Sequence, residues 1–125
     1  FTGDIGAEKQ AAPFILAPND STARGIMKAC DNQTPAITGF TITGQDCEKG
    51  SVQSIIDGKQ GMSIFKDTRV LASVAAQTCV DLLDGAGPQT SSTVSNAFST
   101  IITSNIRTEL IDSGYYNVSD FTGTY

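Results

Sequence analysis

Three times before residue 70 the chain runs an apolar, β-prone stretch into a polar residue and an aspartate, then into a helical pattern. The junctions are Phe14-Ile15-Leu16-Ala17-Pro18-Asn19-Asp20, Phe40-Thr41-Ile42-Thr43-Gly44-Gln45-Asp46 and Met62-Ser63-Ile64-Phe65-Lys66-Asp67. The apolar runs predict strands over about 13–17, 37–43 and 61–66, and 3.6-residue spacing predicts helices over about 20–31, 46–57 and 67–84. The inward helix faces are Ala23, Ile26, Met27 and Cys30, then Val52, Ile55 and Ile56, then Leu71, Val74, Ala75, Thr78, Leu82 and Leu83. Pro35 closes the first helix because proline disfavours helical geometry in its predecessor, while Gly58 and Gly85 are placed to end the next two. A short strand over about 98–103 and a helix over about 105–113 complete the pattern. Residues 1–12 read as a lead-in segment, and 85–97, rich in Gly, Ser and Thr, as a flexible connector.

Strands alternating with amphipathic helices predict right-handed βαβ crossovers. The expected fold is α/β, a doubly wound, mostly parallel sheet with helices on both faces, in a single unit over residues 13–125. Parallel strands would open all three junctions on one edge, the carboxyl edge at which open α/β sheets bind ligands. That rim collects Asn19, Gln45, Asp46, Lys66 and Asp67. An amide, a carboxylate and an ammonium group together satisfy vicinal hydroxyls, each of which donates and accepts. The same residues carry a second reading. Asp20, Asp46 and Asp67 each stand where a helix N-cap belongs, and Lys66 can be a solvated charge at a strand end. Spacing leaves both open for Asp46, while capping is the expected role of Asp20 and Asp67.

Composition narrows the classes. At 125 residues, 39% hydrophobic and 17% charged, the chain suits one packed core, and no apolar run is long enough to cross a membrane. A net charge of −5 with 8 basic residues argues against nucleic acid as a partner. There is no histidine, which removes His-based triads and most zinc sites. Cys30, Cys47 and Cys79 lack paired metal-ligand spacing. Cys30 and Cys79 are expected as small buried hydrophobes on helix faces, and Cys47 in a first helical turn, where the dipole would lower a thiol pKa. One disulfide plus a free thiol is also open. Ser63 and Lys66 have SxxK spacing, but in a strand they face opposite ways. With no nucleophile elbow, phosphate loop or dinucleotide fingerprint, neither catalysis nor a cofactor or metal is expected. The first residues have neither a basic start nor an apolar core, so a chain either cytosolic or already processed is expected.

Three segments carry a family likeness: Leu16-Ala17-Pro18-Asn19-Asp20-Ser21-Thr22-Ala23-Arg24-Gly25-Ile26, the stretch from Thr43 to Gln60 with Gly44-Gln45-Asp46-Cys47, and Ser63-Ile64-Phe65-Lys66-Asp67-Thr68-Arg69. In this order and spacing they resemble the type I periplasmic sugar-binding proteins of ABC importers, above all the xylose, galactose and multiple-sugar receptors. Asp112-Ser113-Gly114-Tyr115-Tyr116 is similar to the ending of the same group. The resemblance implies a non-catalytic, periplasmic or extracellular receptor for a pentose or hexose. It implies sugar contacts from Asn19, Asp46 and Lys66. It covers only the second of two lobes, shortened between Gly87 and Asn105, so sugar binding would need a second lobe or partner, with a membrane permease downstream. The alternative expectation is a structural, self-associating extracellular subunit that keeps the lobe without transport.

Overall fold

The computed structural model describes residues 14–85, 87 and 98–125; the predicted lead-in and most of the predicted connector lie outside them. Four strands form one sheet in the order β1-β2-β3-β4, with β1 Phe14–Ile15, β2 Thr41–Gln45, β3 Met62–Lys66 and β4 Phe98–Ile101. The first three are parallel and β4 runs antiparallel beside β3, pairing Phe98 with Lys66 and Ile101 with Ser63. The helices are α1 Asp20–Asp31, α2 Lys49–Ile56 and α3 Thr68–Leu83. A 3-10 turn at Thr103–Asn105, a π-helical turn at Arg107–Ile111 and a 3-10 turn at Val118–Asp120 close the chain. The mostly parallel α/β lobe is as the pattern predicts. Because β1, β2 and β3 step across the sheet in sequence, right-handed crossovers bring α1 and α2 to the same face, where they touch.

Strand alternation decides what lies beneath them. Ile42 and Gly44 of β2, Ser63 and Phe65 of β3 and Ile101 of β4 are buried, while Thr41, Thr43, Met62, Ile64 and Phe98 on the alternate positions stay wholly or partly exposed. Two apolar clusters result. Ala17, Ala23, Met27 and Ile42 pack beneath α1, and Cys47, Val52, Ile55, Phe65, Ile101, Ile106, Leu110 and Phe121 pack around α2 and the C-terminal turns. Tyr115 and Tyr116 extend the second cluster by edge-on ring contacts between Phe65 and Phe121.

Three local expectations need correcting. β2 runs on to Gln45 and α2 starts only at Lys49, because Asp46 and Cys47 adopt φ of +101° and +51°, which no helix accommodates. The expected C-terminal helix is present but irregular: an unbroken helical stretch runs from a 3-10 turn at Thr103–Asn105 through Ile106 into the π-helical turn Arg107–Ile111, where it ends. The inward stripe of α3 is not inward: Leu71, Val74 and Thr78 are half-buried, Ala75 and Leu82 are exposed, and Leu83 is 87% exposed. Periodicity marks the face a helix would bury, and the described residues supply no element to cover it.

Candidate functional site at the carboxyl edge

Parallel pairing of β1, β2 and β3 brings the Asn19, Asp46 and Lys66 junctions to one edge of the sheet. Asp46 and Lys66 meet there, with Nζ 2.9 Å from Oδ1 and side chains 40% and 32% exposed. A pair this open to water contributes about 0–1 kcal/mol to folding. Its two groups stay available to solvent-borne partners. Asn19 shares the edge but is engaged with its own helix. It is the N-cap of α1, and its Oδ1 accepts from the Thr22 N–H at 2.9 Å and the Ser21 hydroxyl at 3.1 Å. Of the donor and acceptor that sequence reasoning assigned to Asn19, the acceptor is largely occupied and the Nδ2 donors carry the remaining capacity.

The capping roles of the aspartates sort differently from the expectation. Only Asp67 caps as foreseen: it precedes α3, accepts from the Arg69 N–H at 3.0 Å, and is gripped by the Arg69 guanidinium at 2.9 and 2.7 Å. Hydrogen bonding from Arg69 holds its carboxyl below the usual aspartate range. Asp46 caps nothing, since Glu48 is the residue before α2. Its positive φ is a conformation rare outside glycine, costing about 1–3 kcal/mol, and such residues cluster where a side chain must be aimed.

Asp20 is the residue that sequence reasoning missed. It begins α1 after the Asn19 cap and is completely buried. Its Oδ1 accepts from the Ser63 hydroxyl at 2.8 Å and the Gln60 amide at 3.1 Å, and its Oδ2 from the Glu48 N–H at 2.9 Å. Burial raises its pKa above the ordinary 3.8 against the opposing pull of those three bonds. Arg24, one helical turn on, reaches Ser51 at 3.0 Å and pairs with Glu48, tying α1 to the start of α2. Sequence held one usable signal for this role. Gly44 lacks the Cβ that would stand 2.0 Å from the Asp20 Oδ1.

The thiols also depart from expectation. Cys47 is buried, and desolvation pushes its pKa up to about 12 in place of the lowering expected from a helix N-terminus. Cys79 is exposed, while Cys30 is buried as expected, and all three are free. Among the described residues no cluster of Cys, Asp and Glu could hold a metal ion.

Comparison with known proteins places this rim in context. Residues 6–87 match the family described as the periplasmic binding protein domain. The chain belongs to that family. Over 93% of its length it is 30% identical to the D-xylose-binding periplasmic protein of Escherichia coli, and over 86% it is 33% identical to the multiple sugar-binding periplasmic protein SbpA of Azospirillum brasilense. Among solved structures, a carbohydrate transporter solute binding protein from Chloroflexus aurantiacus, in complex with D-glucose, superposes with a TM-score of 0.76. Identity is 43%, over 90% of this chain and 36% of that one. An ABC transporter solute binding protein from Clostridium phytofermentans with bound β-D-glucose gives 0.67 at 35% identity, over 82% of this chain and 35% of that one. The periplasmic binding protein match thus spans little more than a third of each relative, 38% of the xylose-binding protein and 34% of SbpA.

Proposed function

We propose that the chain binds a monosaccharide without catalysis at the carboxyl edge of its sheet, through Asn19, Asp46 and Lys66. The observation that carries this reading is the Asp46–Lys66 pair, half-open to solvent on a strained backbone at that edge. A sugar bearing adjacent hydroxyls can bridge the pair, donating to the Asp46 carboxylate while accepting from the Lys66 ammonium. The Asn19 Nδ2 then adds a donor from the neighbouring strand end. Relatives named for xylose and multiple-sugar binding, and structures holding glucose, favour a pentose or hexose. The same names favour a periplasmic or cell-surface location and delivery to the membrane permease of an ABC importer.

One sheet edge encloses a sugar on one side only. Affinity of the isolated chain is therefore low, with a Kd of about 1 mM or weaker, and full function needs a second lobe or partner. The exposed Val70, Val80, Leu82 and Leu83 of α3, with Phe14 and Phe98 on the sheet and Leu16 just after β1, give apolar surface for such a partner. The same surface suits the alternative of a structural, self-associating subunit. Titration of the isotope-labelled chain with D-glucose, D-xylose, D-galactose and L-arabinose separates the two. Sugar-induced shifts confined to the Asn19, Asp46 and Lys66 region support binding. Unshifted spectra at saturating sugar, with concentration-dependent association by light scattering, favour the structural subunit instead.

A further inference from the structure

Resting on the sugar-rim reading, we infer that Asp20, working through Ser63 and the backbone, is a positioning residue that aims the Asp46 carboxylate at its ligand. An aspartate beside a helix start ordinarily sits in water. This one is fully buried between β2, β3 and the entry to α2. Its carboxylate collects the two peptide N–H groups that follow Asp46. The Glu48 N–H reaches Oδ2 directly at 2.9 Å. The Cys47 N–H donates to the Ser63 Oγ at 3.1 Å, and the Ser63 hydroxyl in turn donates to Oδ1 at 2.8 Å. The Asp46 N–H holds the Ile64 carbonyl at 2.8 Å, and the Tyr116 hydroxyl donates to the Cys47 carbonyl at 2.8 Å.

Each peptide group around the two positive-φ residues is therefore anchored. The anchoring matters because φ of +101° and +51° at Asp46 and Cys47 relaxes unless its surroundings over-determine it. Sheet geometry makes room for the device at Gly44, where a Cβ would lie 2.0 Å from the Asp20 Oδ1 and 2.5 Å from the Gln60 Nε2. Gln60 completes it, donating to Oδ1 at 3.1 Å and to the Met62 carbonyl at 3.0 Å. Three donors converge on Asp20, so an ionised, acceptor-only carboxylate satisfies all of them. A carboxamide would turn a donor onto one of them. Asp20 sits beneath the rim and acts through the loop.

The test compares the full 125-residue chain with Ser63→Ala and Asp20→Asn by amide NMR, measuring hydrogen exchange and D-glucose and D-xylose titrations. In Ser63→Ala the Cys47 amide exchanges about tenfold faster or more, and sugar affinity falls about tenfold, while the β3–β4 ladder amides keep their protection. Asp20→Asn speeds exchange at Glu48 in the same way. Tyr116→Phe is the milder variant should either fail to fold, with a loss of a few-fold in affinity expected from freeing the Cys47 carbonyl. Native protection at Cys47 and Glu48 in the variants, or native sugar affinity in a folded variant, overturns the inference. A wild-type chain without sugar-induced shifts overturns the sugar reading instead, and the exchange data still judge the clamp by themselves.

Discussion

Replacing Asp46 by glycine and by alanine separates what its backbone costs from what its side chain contributes. The residue holds φ of +101°, a strain of about 1–3 kcal/mol for a side-chain-bearing residue, and its carboxylate pairs with Lys66 at 2.9 Å. That pair is 40% and 32% exposed, so screening limits it to about 0–1 kcal/mol. Asp46→Ala loses the pair and keeps the strain, and should unfold up to about 1 kcal/mol more easily than wild type. Asp46→Gly also loses the pair but relieves the strain, offset by about 0.5–1 kcal/mol of added chain entropy in the unfolded state. The glycine variant should therefore be more stable than the alanine variant by about 1 kcal/mol, a few degrees in Tm for a domain of this size. Urea and thermal unfolding by circular dichroism measure this, and sugar titration should show binding lost in both. A glycine variant no more stable than the alanine variant would refute the claim that the fold holds Asp46 against a backbone preference.

Gly44→Ala should destabilise by about 3 kcal/mol, read from urea unfolding, because the new Cβ meets a buried carboxylate and amide that have nowhere to move. The pH dependence of Asp20 has a definite sign. Its folded pKa lies above the unfolded 3.8, so its contribution is fully present below pH 3.8 and is lost as pH rises through the folded value. Because Asn does not titrate, the stability of wild type relative to Asp20→Asn should fall as pH rises from below 3.8 through the folded value, as burial of the charge sets in; a relative stability that rises with pH contradicts the assigned burial cost. Alkylation followed by mass spectrometry should modify Cys79 in the native chain and spare Cys30 and Cys47 until denaturant is added, since both are buried and the Cys47 thiol stands at about 12. Modification of Cys47 as fast as Cys79 would place the loop in solvent.

The sequence alone determined the elements whose stability is local. Ala23, Met27 and Cys30 recur at helical spacing, and α1 spans the residues that pattern names, Asp20–Asp31. The apolar run at Met62–Lys66 is β3. Parallel order then followed from alternating strands and helices, which put Asn19, Asp46 and Lys66 on one edge before any contact was known. The family likeness was legible in the same junctions.

Tertiary structure decided the rest, because those choices depend on partners far along the chain. A helix-start aspartate in water and a buried acceptor have the same sequence neighbours. Asp20 became the second kind only when β3 brought Ser63 and the turn before it brought Gln60, 43 and 40 residues away. The boundary of α2 shifted for a similar reason, since Asp46 and Cys47 take their left-handed geometry from bonds to Ser63, Ile64 and Tyr116. Apolar residues recur at helical spacing in α3 as in α1, though less sharply confined to one face, and α3 buries no residue. Spacing states which side chains avoid water if a surface is offered; whether one is offered is a property of the assembled fold.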